Sequence, residues 1–186
     1  MNQFVPIPAQ QRFLDLQMRI VGYIAGRREG KTAVGANKAL QRICTGNSGL
    51  IVGTSPYMLR RATLPEIEEW APAYDLQPMI LMSQAQVKFA SPCAATIRLI
   101  TRPTFLPAPV NWIWFDDIVD LPSREIFDAL VPQARIGENP QVWITSNYPY
   151  PEDNHWLWDL LEEIAYVTPD QLPVPPGLEG FWKGDE

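Results

Sequence analysis

Residues 25–32 read A-G-R-R-E-G-K-T, directly after the apolar run Ile20-Val21-Gly22-Tyr23-Ile24. This is the pattern of a strand (Ile20–Ala25) that ends in a glycine-containing turn and opens a helix. The backbone N–H groups of such a loop point at a phosphate. Lys31 reaches the β- and γ-phosphates, and the Thr32 hydroxyl can hold Mg²⁺. The nucleotide-contacting set expected from the motif is Gly26, Arg27, Arg28, Glu29, Gly30, Lys31, Thr32 and Ala33. Ala25 stands where a glycine is usual, which matters only if that position needs φ > 0. The expected ligand is a nucleoside triphosphate, taken as ATP with Mg²⁺.

Working outward, apolar strands alternate with helical stretches. Helices are expected over Ala9–Arg19, Lys31–Ile43, Tyr57–Trp70 (kinked or split at Pro65), Ser123–Arg135 and Glu152–Ala165. Strands are expected over Gly49–Gly53, Val110–Ile118 and Gln141–Ser146, with a hairpin of Gln86–Ser91 and Thr96–Thr101 around Ser91-Pro92-Cys93-Ala94. Such alternation predicts an α/β fold, a mostly parallel sheet with helices on both faces. Ligands of such sheets bind at the C-terminal ends of the strands. Residues 1–167 are read as one domain, and 168–186 as a loose Pro-rich, acidic tail.

Composition narrows the function classes. The 186 residues are 46% hydrophobic and 19% charged, which is the composition of a folded globule. A formal net charge of −6 argues against nucleic-acid binding through bulk charge, so any DNA contact must be local. Lys38, Arg42, Arg60 and Arg61 are the exposed-basic candidates. His155 is the single histidine, which excludes a histidine-rich metal site and Ser-His or Cys-His catalysis. Cys44 and Cys93, without CxxC spacing, read as buried reduced thiols. No apolar stretch is long enough to span a bilayer and the N-terminus is no signal peptide, so the expected place is the cytoplasm, with no membrane partner.

Two further elements complete the chemistry. Trp112-Ile113-Trp114-Phe115-Asp116-Asp117 is an apolar strand ending in acids. Asp116 can hold Mg²⁺ opposite Thr32, and Asp117 is placed to polarise the water attacking the γ-phosphate. Ile144-Thr145-Ser146-Asn147 ends another strand in hydroxyl and amide groups able to sense the γ-phosphate. Trp112, Trp114, Trp143, Trp156 and Trp158 read as core packing rather than base-stacking platforms, and Asp120 as a helix-starting residue.

The ordered set resembles the large subunit of the tailed-phage and herpesvirus DNA-packaging terminase. It comprises Gln10-Gln11-Arg12, G-R-R-E-G-K-T at 26–32, L-I-V-G-T-S-P-Y-M-L-R-R-A-T-L-P-E-I-E-E-W at 50–70, W-I-W-F-D-D-I-V-D-L-P at 112–122 and V-W-I-T-S-N-Y-P at 142–149. The resemblance implies a P-loop NTPase fold of the additional-strand (ASCE) type, three-layered α/β/α. It implies a Mg²⁺-dependent ATPase that forms a homo-oligomeric ring at the capsid portal in the host cytoplasm and drives double-stranded DNA inward. The portal protein and the small terminase subunit would be its partners. Gln10 or Gln11 would contact adenine, Arg27 or Arg28 would act near the γ-phosphate, and Thr145, Ser146 and Asn147 would form the coupling motif. Lys31, Asp117 and one of these arginines would carry catalysis.

Three departures stand out. The family's catalytic acid is usually glutamate, and Asp117 is shorter by about 1.5 Å, a displacement of a size that can cost about a hundredfold in rate. The arginine common before the acidic strand is missing from Phe105-Leu106-Pro107-Ala108-Pro109, which leaves Arg102, Arg124 and Arg135 as candidates for action in a neighbouring subunit. The RNase H-like nuclease domain is not in the chain, so a separate nuclease or a motor that does not cut DNA is expected. Two other readings of the same residues are a nucleotide-dependent assembly module with weak hydrolysis and a small P-loop phosphotransferase.

Overall fold

The computed structural model describes residues 3–90, 93–101, 107–121, 123–150 and 155–169. Eight strands form one sheet, β1 (Ile20–Ile24), β2 (Gly49–Val52), β3 (Pro78–Leu81), β4 (Gln86–Phe89), β5 (Ala95–Ile100), β6 (Trp112–Asp116), β7 (Gln141–Ser146) and β8 (Ala165–Val167). Their order is β3-β4-β5-β2-β6-β7-β1-β8. All neighbours are parallel except at β4, which runs antiparallel to β3 and β5. The expected hairpin is therefore present, and its turn residues Ser91 and Pro92 lie outside the described residues. The decisive feature is that β7 lies between β1 and β6 and pairs with both. The phosphate-loop strand and the acid strand are separated by one additional strand, as the ASCE type requires.

Side-chain alternation builds two cores. On one face Val21, Tyr23, Trp112, Trp114 and Trp143 pack with Phe13 and Leu14 of α1 (Pro8–Asp15) and with Val34, Ala36, Ala39, Leu40 and Ile43 of α2 (Lys31–Cys44). On the other, Ile24, Ile113, Phe115, Val142 and Ile144 pack under α5 (Glu125–Leu130) and α6 (Trp156–Glu163). The arrangement is three-layered. Trp112, Trp114 and Trp143 are fully buried, and the rings of Trp112 and Trp143 stack at 4.9 Å, so these indoles serve the core.

Several expected boundaries are corrected. The first helix ends at Asp15 rather than Arg19, because its terminal carbonyls are taken by a side chain. Lys38 Nζ donates to the carbonyls of Phe13, Leu14 and Leu16. The helix expected over Ser123–Arg135 is α5 followed by a 3-10 turn at Val131–Gln133, with Pro132 inside it, and its N-cap is Arg124 rather than Ser123. The last helix stops at Glu163 and the chain then adds β8 beside β1. Thr168, read as the start of the tail, is 6% exposed, and residues 170–186 lie outside the described residues. Strand β3 has no counterpart among the expected elements. Cys44 and Cys93 are free and half-buried, with the Cys93 thiol 2.7 Å from the Cys44 carbonyl. Among the described residues no helix is long and apolar enough to cross a membrane.

Gly35 in the middle of α2 leaves room for the Trp114 indole, which a β-carbon there would overlap. Alanine normally stabilises a helix interior relative to glycine by about 1 kcal/mol. Here the neighbour is a buried ring that cannot yield, so Gly35→Ala is expected to destabilise the domain by about 1–3 kcal/mol in urea denaturation.

Lys38 gives a pH signature. Burial, reinforced by the Arg42 charge, pushes its ammonium from 10.5 down to about 8. Between these values the unfolded chain holds a proton that the folded one has released. Stability therefore rises with pH across that window and is level below it. Urea titrations should show wild type gaining on Lys38→Met between pH 8 and 10.5, by at most about 1.4 kcal/mol per pH unit.

Candidate nucleotide-binding site

Three neighbouring strand ends, those of β1, β7 and β6, deliver the site. Beyond β1 the loop turns through Arg28 (φ 68°) and Gly30 (φ 66°), both left-handed, and α2 begins at Lys31. Ala25 has no positive φ, so alanine in place of the usual glycine causes no strain there. Within the loop the Glu29 carboxylate accepts from the Gly26 N–H at 3.0 Å. Lys31 Nζ donates to the Gly26 carbonyl at 2.7 Å and to Asn147 Oδ1 at 3.0 Å. Burial lowers the Lys31 pKa, and the charges of Asp117, Asp116 and Glu29 oppose that shift.

The acid strand ends in a carboxylate that is fully enclosed. Asp116 Oδ1 accepts from Thr145 Oγ1 at 2.8 Å and from Thr32 Oγ1 at 3.4 Å, and Oδ2 accepts from Thr63 Oγ1 at 2.7 Å. Burial pushes Asp116 up to about 6 with help from the Asp117 charge, while the Thr63 hydroxyl, then those of Thr145 and Thr32, hold it down. Thr145 is itself oriented, because Trp114 Nε1–H donates to its oxygen at 2.8 Å. An indole N–H is only a donor, so the Thr145 proton is left for Asp116.

Asp117 leaves the strand in the left-handed region (φ 53°, ψ 48°), with its N–H on the Thr145 carbonyl. Aspartate tolerates this conformation better than most residues, and strain of this kind clusters at functional sites. Its Oδ1 is buried without a hydrogen-bond partner. Burial raises its pKa and the Lys31 charge lowers it.

Around these groups lies a polar cleft of about 550 Å³ lined by Arg27, Arg28, Gly30, Lys31, Thr32, Ala33, Asp117, Asp120 and Asn147, with Met58 and Glu66 closing one side. Arg27 and Arg28 are exposed at its mouth. A second hollow beside the loop is lined by Ile7, Pro8, Ala9, Gln10, Arg28, Glu29, Gly30 and Pro169. The two glutamines part company. Gln10 is buried, accepts the Ile7 N–H at 3.0 Å and lies against Gly30. Gln11 is exposed and bonds Asp15 at 2.9 Å. The structure thus brings Gln10 to the loop and leaves Gln11 outside.

Thr145 and Ser146 at the end of β7 and Asn147 just after it each touch a neighbour. Thr145 holds Asp116, the Ser146 Oγ accepts the Val119 N–H at 3.1 Å, and Asn147 holds Lys31. Sequence reasoning does not find Thr63 and Asp120 as site residues; Asp120 follows the acids closely enough to be a signal, and Thr63 carries none.

The remaining basic candidates are placed as follows. Arg124 pairs with Glu163 at 2.7 Å and with Asp128 at 3.2 Å, on the surface and outside the cleft lining. Arg135 is exposed and outside it too, and Arg102 lies outside the described residues. Lys38 is buried on helix carbonyls and Arg42 donates to the Asn139 carbonyl and Gln141, so neither is a free surface cation; Arg60 and Arg61 are exposed.

Among the described residues no three His, Cys, Asp or Glu side chains gather as a metal cage. The donor set of Thr32 and Asp116, next to Asp117 with its unpartnered oxygen, fits Mg²⁺ of the kind that takes one or two protein oxygens and completes its shell with phosphate and water.

No protein-family model and no curated protein matches the sequence. Solved structures do match. The large terminase of a thermophilic bacteriophage, in complex with ADP, aligns with a TM-score of 0.73 at 13% identity, covering 87% of this chain and 44% of that one. The large terminase of bacteriophage HK97 aligns at 0.69 and 13% identity, covering 98% and 45%. The ATPase domain of the Thermus phage P74-26 large terminase aligns at 0.64 and 14% identity, covering 84% and 69%. The chain thus spans less than half the length of the first two of these terminases, and at such identities the likeness is one of fold. This chain has the P-loop ASCE fold of the ATPase domain of phage large terminases.

Proposed function

We propose that the chain is a Mg²⁺-dependent ATP hydrolase acting as the motor domain of a double-stranded DNA-packaging machine. The observation that carries this reading is β7 wedged between the loop strand and the acid strand, with Thr145 on Asp116 and Asn147 on Lys31. One strand end therefore touches both halves of a nucleotide site, the arrangement needed if hydrolysis is to move something. The large terminase of the thermophilic bacteriophage, whose fold this chain shares, was crystallised with ADP and with ATP-γ-S.

The residues divide the work as follows. The loop amides and Lys31 receive the β- and γ-phosphates, with Lys31 exchanging its Gly26 and Asn147 acceptors for phosphate oxygens. Gln10 borders the hollow that would take the base. Thr32 and Asp116 hold Mg²⁺, which when bound neutralises phosphate charge. Arg27 or Arg28 stabilises charge on the γ-phosphate. Asp117, with one carboxylate oxygen unpartnered and the Lys31 charge opposing the upward shift that burial gives it, orients the attacking water. On this reading the chain works as a homo-oligomeric ring with portal protein, small terminase subunit and DNA in the host cytoplasm.

Lys31→Ala is expected to abolish phosphate release; undiminished hydrolysis would overturn the assignment. Asp117→Asn is expected to lower kcat by about 10²–10⁴ while a fluorescent ADP still binds. Loss of nucleotide binding together with activity would assign Asp117 to structure instead.

A further inference from the structure

The segment after β2 is irregular where it meets the buried carboxylate. Ser55 caps the short α3 (Pro56–Met58), a π turn follows at Leu59–Thr63, and α4 runs over Leu64–Trp70. In the π turn the Leu64 N–H reaches back to the Leu59 carbonyl. Pro65 has no N–H and crowds the carbonyl four residues earlier, and a widened turn relieves that clash. Its effect is to turn Thr63 inward, 2% exposed, onto Asp116 Oδ2. The outward side of α3 and the π turn shows Tyr57, Arg60 and Arg61, with the Arg61 guanidinium 6.0 Å from the Tyr57 ring centre.

The hydroxyls on Asp116 are not equivalent. Thr145 belongs to a central strand and its direction is locked by Trp114. Thr32 is the hydroxyl assigned to Mg²⁺. Thr63 alone hangs on an irregular turn with an exposed face, and it makes the shortest of the three bonds. A cation at Asp116 would compete with these hydroxyls for the carboxylate oxygens, and the donor on the irregular turn with an exposed face is the one placed to adjust.

We propose that Thr63 is a positioning residue that ties the π turn to Asp116, so that occupancy of the nucleotide–metal site is transmitted to the surface bearing Tyr57, Arg60 and Arg61. The relay rests on the nucleotide reading above.

Hydrogen exchange of peptides spanning residues 55–70 tests it, with and without Mg²⁺–ATP-γ-S, and fluorescent-nucleotide binding is measured in the same solutions. Wild type and Thr63→Ser are expected to show a ligand-dependent change of about threefold or more in exchange rate. Thr63→Val is expected to bind nucleotide and lose most of that change; should it fail to fold, Thr63→Ala takes its place. A wild-type chain that binds nucleotide with no response in 55–70 overturns the relay alone. So does a Thr63→Val or Thr63→Ala response equal to wild type. A wild-type chain that binds no nucleotide overturns the nucleotide reading and the relay with it.

Discussion

A carboxylate enclosed at the end of a central strand is tolerable only when its oxygens are hydrogen-bonded. Asp116 meets that requirement with hydroxyls from three separate elements, the first turn of α2, the π turn after β2, and β7. Trp114 on the same strand fixes the Thr145 hydroxyl from the far side, so β6 and β7 are matched by polar groups as well as by their ladder. Gly35 admits the Trp114 ring and thereby lets α2 close on the strand that its own first turn serves. Loop, strand and helix are thus mutually dependent around one charge.

The site follows from how strand and helix ends are arranged, without a long list of catalytic groups. Lys31 spans from the loop to β7, Asp117 hangs from the Thr145 carbonyl, and Ser146 supports Val119. Displacing any one strand end along its axis would misplace a cation, an acid or a hydroxyl together. Such coupling suits a site whose groups must respond in concert to a phosphate.

What could be read in advance was local. A glycine-rich turn after an apolar run, and paired acids after another, each signal themselves within ten residues. The parallel sheet follows from the alternation of such units. Adjacent Gln10 and Gln11 could not be separated, because neighbouring helix residues point about 100° apart and only the seating of α1 chooses between them. That seating depends on Lys38, whose burial on three carbonyls looks the same in sequence as an exposed lysine. β8 is three residues of a run that also suits a helix end, and only pairing with distant β1 decides it. Thr63 lay unremarked in a helical pattern, since a single inserted residue in the turn sets the face it takes.

The two outermost strands carry a consequence for assembly. β8 offers only three residues to a newcomer, and β3 is four residues long and opens with a proline, which has no N–H to give. Among the described residues, both rims are therefore poor templates for adding another chain's strand. Among the described residues, contact between copies of this domain is therefore favoured through loops and side chains, which can slide and re-form, over a continuous shared sheet.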